Sequence, residues 1–357
     1  MMHSIDNRPN KNIRIGKIER IIIFGGGLLL VKLAREARQR GIDVHIFAVK
    51  RHLEEVVDGQ NTFQQLLDKE NISYYPAKDI NQLPQLKELV NDRTMGIGIG
   101  ETYTFNTETI NLFKDKLFDF MVIKLPQYRG GAHFTWQILR EDKTGAWNVQ
   151  VINEEMVPGV YDSGEIVKTR RYDIPESVRT PEDYFGISDE QGLELFKEFL
   201  DEIAQGKVFQ LTRSNEAEGL YLPRLYTLRH AYINWDWTAN ELGRFINAFS
   251  DPYAGASTFL ANKKVHLKDV SASSADGTFH PFISGLIYRI HDGSVFVAVK
   301  DGSLIIKKVL DEQGRDIAAE LRIGQRLYTP AKYLEEAMLF NAEYNSEGIT
   351  NAKAVQK

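Results

Sequence analysis

Three short segments carry the residue types that chemistry needs. Leu125-Pro126-Gln127-Tyr128-Arg129-Gly130-Gly131 follows an apolar run, Phe118 to Ile123. Pro126 fixes the chain, the glycines allow close approach, and Arg129 offers a bidentate clamp for an anion. The plain alternative is a structured loop with a surface arginine. Further on, the stretch from Val157 to Val167 sets one acid, Asp162, in a glycine-flanked turn before a strand. A carboxylate there serves as a base or orients one, although Asp also favours turns for local hydrogen bonding alone. Gly25-Gly26-Gly27 ends the first apolar strand. It admits either a phosphate at a helix N-terminus or a tight strand-to-helix turn, but lacks the full dinucleotide spacing and the P-loop Lys-Ser/Thr. The chain has no cysteine, which excludes disulfides and thiolate metal sites. His230, His266, His280 and His291 show no metal-ligand spacing, so no metal site is expected. His45 and His52 lie in and just after the second strand, where either a role toward a substrate phosphate or plain packing fits. Tyr74-Tyr75 and Trp235-Asp236-Trp237 read as packing.

The elements that would position these segments alternate. Ile21–Phe24 is apolar, Leu28–Arg40 is helical in pattern and closed by Gly41, and Val44–Val49 is a second apolar run: a βαβ unit. Ile72–Tyr75, Leu83–Val90, Met95–Ile99, Thr107–Phe113 and Phe118–Ile123 continue it, which predicts a Rossmann-like α/β domain with a mostly parallel sheet. Asn148–Ile152 and Glu165–Tyr172 read as longer strands and Gly192–Ile203 as an amphipathic helix. The second domain opens with a helix, Ala239–Phe249, after which short β segments separated by Asp276-Gly277, Asp292-Gly293 and Asp301-Gly302 suggest a small barrel. The expected division is a flexible tail over 1–17, a catalytic α/β domain over 18–206, a linker over 207–233, a β-rich domain over 234–332, and a helix and tail over 333–357. With 357 residues there is length for two cores. The tail lacks the apolar region of a secretory signal, and no stretch approaches the roughly 20 apolar residues of a membrane span, so a cytoplasmic protein is expected. A net charge of −5 argues against nucleic acid as a partner.

Taken in order, Leu125-Pro126-x-Tyr128-Arg129-Gly130-Gly131, Trp136-Gln137-Ile138-Leu139 and Val160-Tyr161-Asp162-Ser163-Gly164-Glu165-Ile166-Val167 resemble the catalytic core of folate-dependent formyltransferases. Tyr221-Leu222-Pro223-Arg224 and Ile233-Asn234-Trp235 are similar to that family's interdomain segment. Phe245-Ile246-Asn247-Ala248-Phe249 and Asp251-Pro252-Tyr253-Ala254-Gly255-Ala256 are similar to its C-terminal signature. The resemblance spans roughly Met95 to Val309. It implies an N-formyltransferase with an OB-like C-terminal barrel, using 10-formyltetrahydrofolate as donor, its pterin against Leu125, Pro126, Arg129 and Gly130. The acceptor it implies is a small molecule, the amine of a nucleotide-linked sugar, with a homodimer left open.

The resemblance also implies an Asn-x-His pair on the strand before the loop, working with a downstream Asp. The His carries the proton and supports the oxyanion, the Asn donates to it, and the Asp orients the His. Here the Asn position falls on Asp119 and the His position on Met121, while Asp162 keeps the third. A thioether carries no proton, and an ionised carboxylate offers the oxyanion no donor. Candidate replacements are His133, just past the loop, an Asp119–Asp162 carboxylate pair, and Glu101 at the end of a parallel strand. Three readings stay open: an atypical transferase, a catalytically silent homologue that binds ligand or partner, and a changed reaction in the same cleft.

Overall fold

The computed structural model describes residues 11–100, 103–153, 164–345 and 348–351. The first half builds one sheet. β1 (Arg20–Phe24) leads through α1 (Leu28–Gln39) to β2 (Asp43–Ala48), then come β3 (Ser73–Pro76), β4 (Thr94–Ile99), α2 (Thr107–Phe113) and β5 (Leu117–Met121). After the loop come α3 (His133–Leu139), β6 (Thr144–Val151), β7 (Ile166–Asp173) and the long α4 (Pro181–Ala204). The seven strands lie in the order β3-β2-β1-β4-β5-β6-β7. The first five are parallel; β6 and β7 are antiparallel to their neighbours. Ile21, Ile22 and Ile23 are fully buried, as a strand covered by helices on both faces requires. The order reverses between β1 and β4, so the crevice beyond their carboxyl ends is the place where such sheets receive ligands.

The second half opens with α5 (Ala239–Ala248), capped by Thr238 and Glu241 in a reciprocal box. β8 (Ala256–Leu260), β9 (Lys263–Ser273), β10 (Ile287–His291), β11 (Ser294–Val299), β12 (Gly302–Leu310) and β13 (Leu327–Tyr328) form a six-stranded antiparallel sheet in the order β10-β11-β12-β9-β8-β13. Its two edges meet: Leu286 bridges Arg326, Ile287 N–H donates to Gln325 O at 2.9 Å and Leu327 N–H to Gly285 O at 2.8 Å. The sheet therefore closes on itself, as the expected small barrel does, and leaves no such edge unpaired. α6 (Ala331–Leu339) follows.

Three boundaries differ from the sequence reading, each for a local reason. α4 begins at Pro181 rather than Gly192, because Thr180 and Asp183 form a capping box and Pro181 sits in the first turn. The stretch over 206–233 is not slack. Phe209 pairs with Ile13, and Tyr221–Leu222 pairs with Arg129–Gly130. The last helix stops at Leu339, and Tyr344–Asn345 pairs with Gly348–Ile349 in a hairpin. One apolar cluster crosses between the sheets, joining Phe134, Ile138 and Tyr184 to Trp235, Leu242 and Ile246. No helix among the described residues is long and apolar enough to cross a membrane.

Candidate functional site

β5 supplies the floor. Phe118 and Phe120 point to the helical side, where their rings meet Phe199 at 5.6 and 5.9 Å. Side chains alternate along a strand, so Asp119 and Met121 share the opposite face. Directly across the antiparallel ladder, Asp119 faces Gln150 and Met121 faces Asn148. Both amides are buried. Asn148 is fully occupied: its Nδ2–H donates to Ile123 O at 2.5 Å and its Oδ1 accepts from Thr169 Oγ1 at 2.6 Å. Gln150 is occupied on one side only. Its Nε2–H donates to Gly164 O at 2.7 Å, while its sealed Oε1 has no partner among the described residues. A buried acceptor without a donor is costly, and it is the kind of atom a ligand N–H satisfies. The motif reading missed Gln150, because only the register brings it beside Asp119.

The loop forms the wall. It turns through a cis Leu125–Pro126 peptide, and Leu125 and Tyr128 pack with Met121 and Ile123. Met121 is only 6% exposed, a packing residue in this cluster. Below the loop, Asp142 gathers three side-chain donors and the Thr144 backbone N–H. Lys124 Nζ lies at 2.7 Å, Tyr128 Oη at 2.9 Å and Thr144 Oγ1 at 2.8 Å. Burial pushes the Asp142 carboxyl upward, but these hydrogen bonds outweigh it and hold it below the usual carboxylate range. Burial, reinforced by the same carboxylate, pushes the Tyr128 phenol far above its ordinary value. Above, Arg129 N–H donates to Leu220 O at 2.9 Å and Gly131 N–H to Leu222 O at 3.2 Å. Gly130 has φ +105°, and a Cβ there would overlap the Leu222 carbonyl. The close approach at Gly130 is thus to the Tyr221–Leu222 backbone. Arg129 is itself buried, not a surface arginine.

His133 opens α3, where it meets the Tyr128 ring edge-on with centroids 5.1 Å apart. Both ring nitrogens are sealed and have no partner among the described residues. Burial lowers its pKa to about 3, so the imidazole stays neutral near pH 7 and is a weak proton acceptor. This is neither a surface histidine nor a satisfied core one. Asp162 and Glu101 lie outside the described residues, so the Asp119–Asp162 pair and the Glu101 position stand as sequence expectations only. The glycine turn after β1 is a tight turn against His52: a Cβ on Gly26 would come within 2.5 Å of the His52 Cβ. Burial lowers the His52 pKa to about 4, with Arg51 adding to the effect. His45 is engaged locally, with Nε2 2.9 Å from Asp43 and Nδ1 3.3 Å from the Tyr75 hydroxyl. Tyr75 stacks on Phe47 at 4.9 Å, and Trp235 Nε1–H donates to Thr258 at 2.9 Å, both packing roles.

An apolar wall beside a strand face with a carboxylate and an orphaned amide oxygen suits a flat heterocycle bearing N–H groups, as a reduced pterin does. Residues 227–324 match the formyl transferase C-terminal domain family. The methionyl-tRNA formyltransferase of Clostridium botulinum is 23% identical over 262 residues, 70% of this chain and 77% of that protein. That of Parabacteroides distasonis is 28% identical over 195 residues, 52% of this chain and 56% of the relative. A sugar 3N-formyl transferase crystallised with dTDP and 5-N-formyl-THF superposes with a TM-score of 0.58 at 18% identity, covering 82% of this chain and 98% of its own. The N-formyltransferase from Helicobacter canadensis, in complex with folinic acid and dTDP-3-aminofucose, gives 0.58 at 16% identity, over 81% and 98%. The C-terminal domain match, the sequence relatives and the two-sheet fold all agree with the resemblance to folate-dependent formyltransferases.

Proposed function

We propose that the protein transfers a formyl group from 10-formyltetrahydrofolate, or a donor of that type, to the amine of a nucleotide-linked amino sugar. The observation that carries this reading is the cleft wall. The Leu125–Gly131 loop is tied below to Asp142 and above to Tyr221–Leu222, and it stands over the strand face that bears Asp119. When bound, the donor supplies the activated formyl carbon. The chain's own residues would hold it: Leu125, Tyr128 and Met121 would form the apolar face against the ring, beside the buried Gln150 amide. Asp119 and Asp162 are the carboxylates proposed to hold the acceptor amine. The sugar-nucleotide acceptor is favoured over tRNA by the net charge of −5 and by the ligands of the two sugar formyltransferases. Incubation with the donor and a panel of amino-sugar nucleotides, with methionyl-tRNA as the competing arm, tests it by mass spectrometry. A formylated sugar is expected; product on the tRNA alone, or on nothing, refutes it.

A second reading is favoured by Met121. A thioether sealed in an apolar cluster fits a homologue that binds donor or acceptor without turnover. It predicts binding by calorimetry and no product at any enzyme concentration.

A further inference from the structure

Outside the pterin wall, the most loaded corner of the crevice involves the C-terminal hairpin. Arg51 lies three residues past β2, beside His52 and the glycine turn, at the carboxyl edge of the sheet. Arg224 comes from the other side: its stem lies on Gly131 of the loop, with Nε 3.2 Å from where a Cβ would stand. Both side chains converge on Tyr344. Arg51 Nη2–H donates to the Tyr344 hydroxyl at 2.6 Å, and the Arg224 guanidinium sits over the Tyr344 ring at 4.1 Å. The two cations are near enough for Arg51 to help lower the Arg224 pKa, a shift driven first by burial. One neutral ring therefore spans two guanidinium groups at the mouth of the crevice.

The hairpin that carries this ring is anchored at its root. His230 Nε2 bonds Phe340 O at 3.0 Å, and the Arg229 guanidinium lies over the Phe340 ring at 4.8 Å. Beyond Phe340 the described hydrogen bonds of Glu343, Thr350 and Asn351 stay within the hairpin. A tyrosine ring meets a cation only through its quadrupole. A phosphate meets guanidinium with full charge and paired hydrogen bonds, roughly twice as strong as neutral ones. Two guanidinium groups reaching one spot from different sides match a ligand with two adjacent anionic groups.

We infer that Tyr344 is an autoinhibitory strap over a diphosphate corner formed by Arg51 and Arg224, which the ring must leave for the diphosphate to bind. The inference rests on the proposed function only for the identity of the natural diphosphate, a sugar nucleotide. Calorimetry on the full chain with inorganic pyrophosphate tests it. Tyr344→Ala binds about tenfold more tightly than wild type, a factor that corresponds to one displaced contact. Tyr344→Phe, which keeps the ring and loses the hydroxyl, falls between. Adding Arg51→Ala or Arg224→Ala to Tyr344→Ala removes the gain. Equal or weaker binding by Tyr344→Ala overturns the strap, as does a gain that survives loss of both arginines. The two readings fail separately. Tighter pyrophosphate binding with no formylated product leaves the strap and refutes the transfer. Formylated sugar made with a KM for the sugar nucleotide that Tyr344→Ala does not lower refutes the strap and leaves the transfer.

Discussion

The wall of the cleft and its floor were built under different demands. The wall, Leu125 to Gly131, is held by backbone pairing to Tyr221–Leu222 and by the Asp142 cluster. The floor, β5, keeps its sheet register but places Met121 where the family resemblance implies a histidine. The wall is constrained by sterics and buried hydrogen bonds, so change there costs stability. The floor is constrained by chemistry, and a thioether in an apolar cluster costs stability nothing. The wall keeps the motif on which the resemblance rests, while the floor departs from it at Asp119 and Met121.

The wall should break hardest at Gly130. Gly130→Ala must move the Leu222 carbonyl or abandon a φ of +105°, and about 3 kcal/mol of stability should be lost. Urea unfolding checks this; a loss below about 1 kcal/mol would mean the pairing is not tight. Next comes Asp142→Ala, which strands Lys124, only 19% exposed at its side chain. About 2–3 kcal/mol is expected by the same measurement, against about 1 kcal/mol for Tyr128→Phe, which removes a single hydrogen bond. If the two cost the same, the charge pair does not anchor the loop.

The third effect is pH-dependent and smaller. His133 has its pKa lowered to about 3 in the folded protein, while the unfolded chain binds its proton near pH 6.5. The unfolded state therefore holds more protons between those values. The stabilising contribution is complete above about pH 6.5 and is lost as pH falls toward 3, amounting to about 2 kcal/mol between pH 7 and pH 5. His52, lowered to about 4, acts in the same direction, so the difference between wild type and His133→Phe isolates the His133 part. Thermal melts at pH 7 and pH 5 should show a smaller drop for the variant. Equal drops would mean that the imidazole reaches solvent or a partner.

Much of the frame was legible in the chain. The βα alternation through Phe118–Ile123 follows from apolar runs punctuated by glycine, because both faces of a parallel sheet are buried. The barrel was legible from its Asp-Gly turns. The start of α4 was missed although Thr180-Pro181-Glu182-Asp183 carries the cap signal, since Gly186 and Gly192 interrupt the periodicity. Within the site, Leu125, Arg129 and Gly130 were legible as a loop, but their partners were not. Tyr221–Leu222 lies some 90 residues downstream, and pairing at that distance leaves no local pattern. Gln150 and Tyr344 were invisible for the same reason: one is set beside Asp119 by register, the other is brought between two arginines by the path of the tail.

The central claim is that a working cleft wall surrounds a floor short of a proton carrier and an oxyanion donor. Formyl transfer to amino-sugar nucleotides, measured for wild type and for Asp119→Asn/Met121→His under identical conditions, tests it most directly. The two substitutions install an amide donor and an imidazole, each associated with about 10²-fold or more in rate. The account predicts slow transfer by wild type and a gain of at least about 10²-fold in kcat for the double variant. A folded double variant that binds donor and acceptor yet transfers no faster than wild type would contradict it.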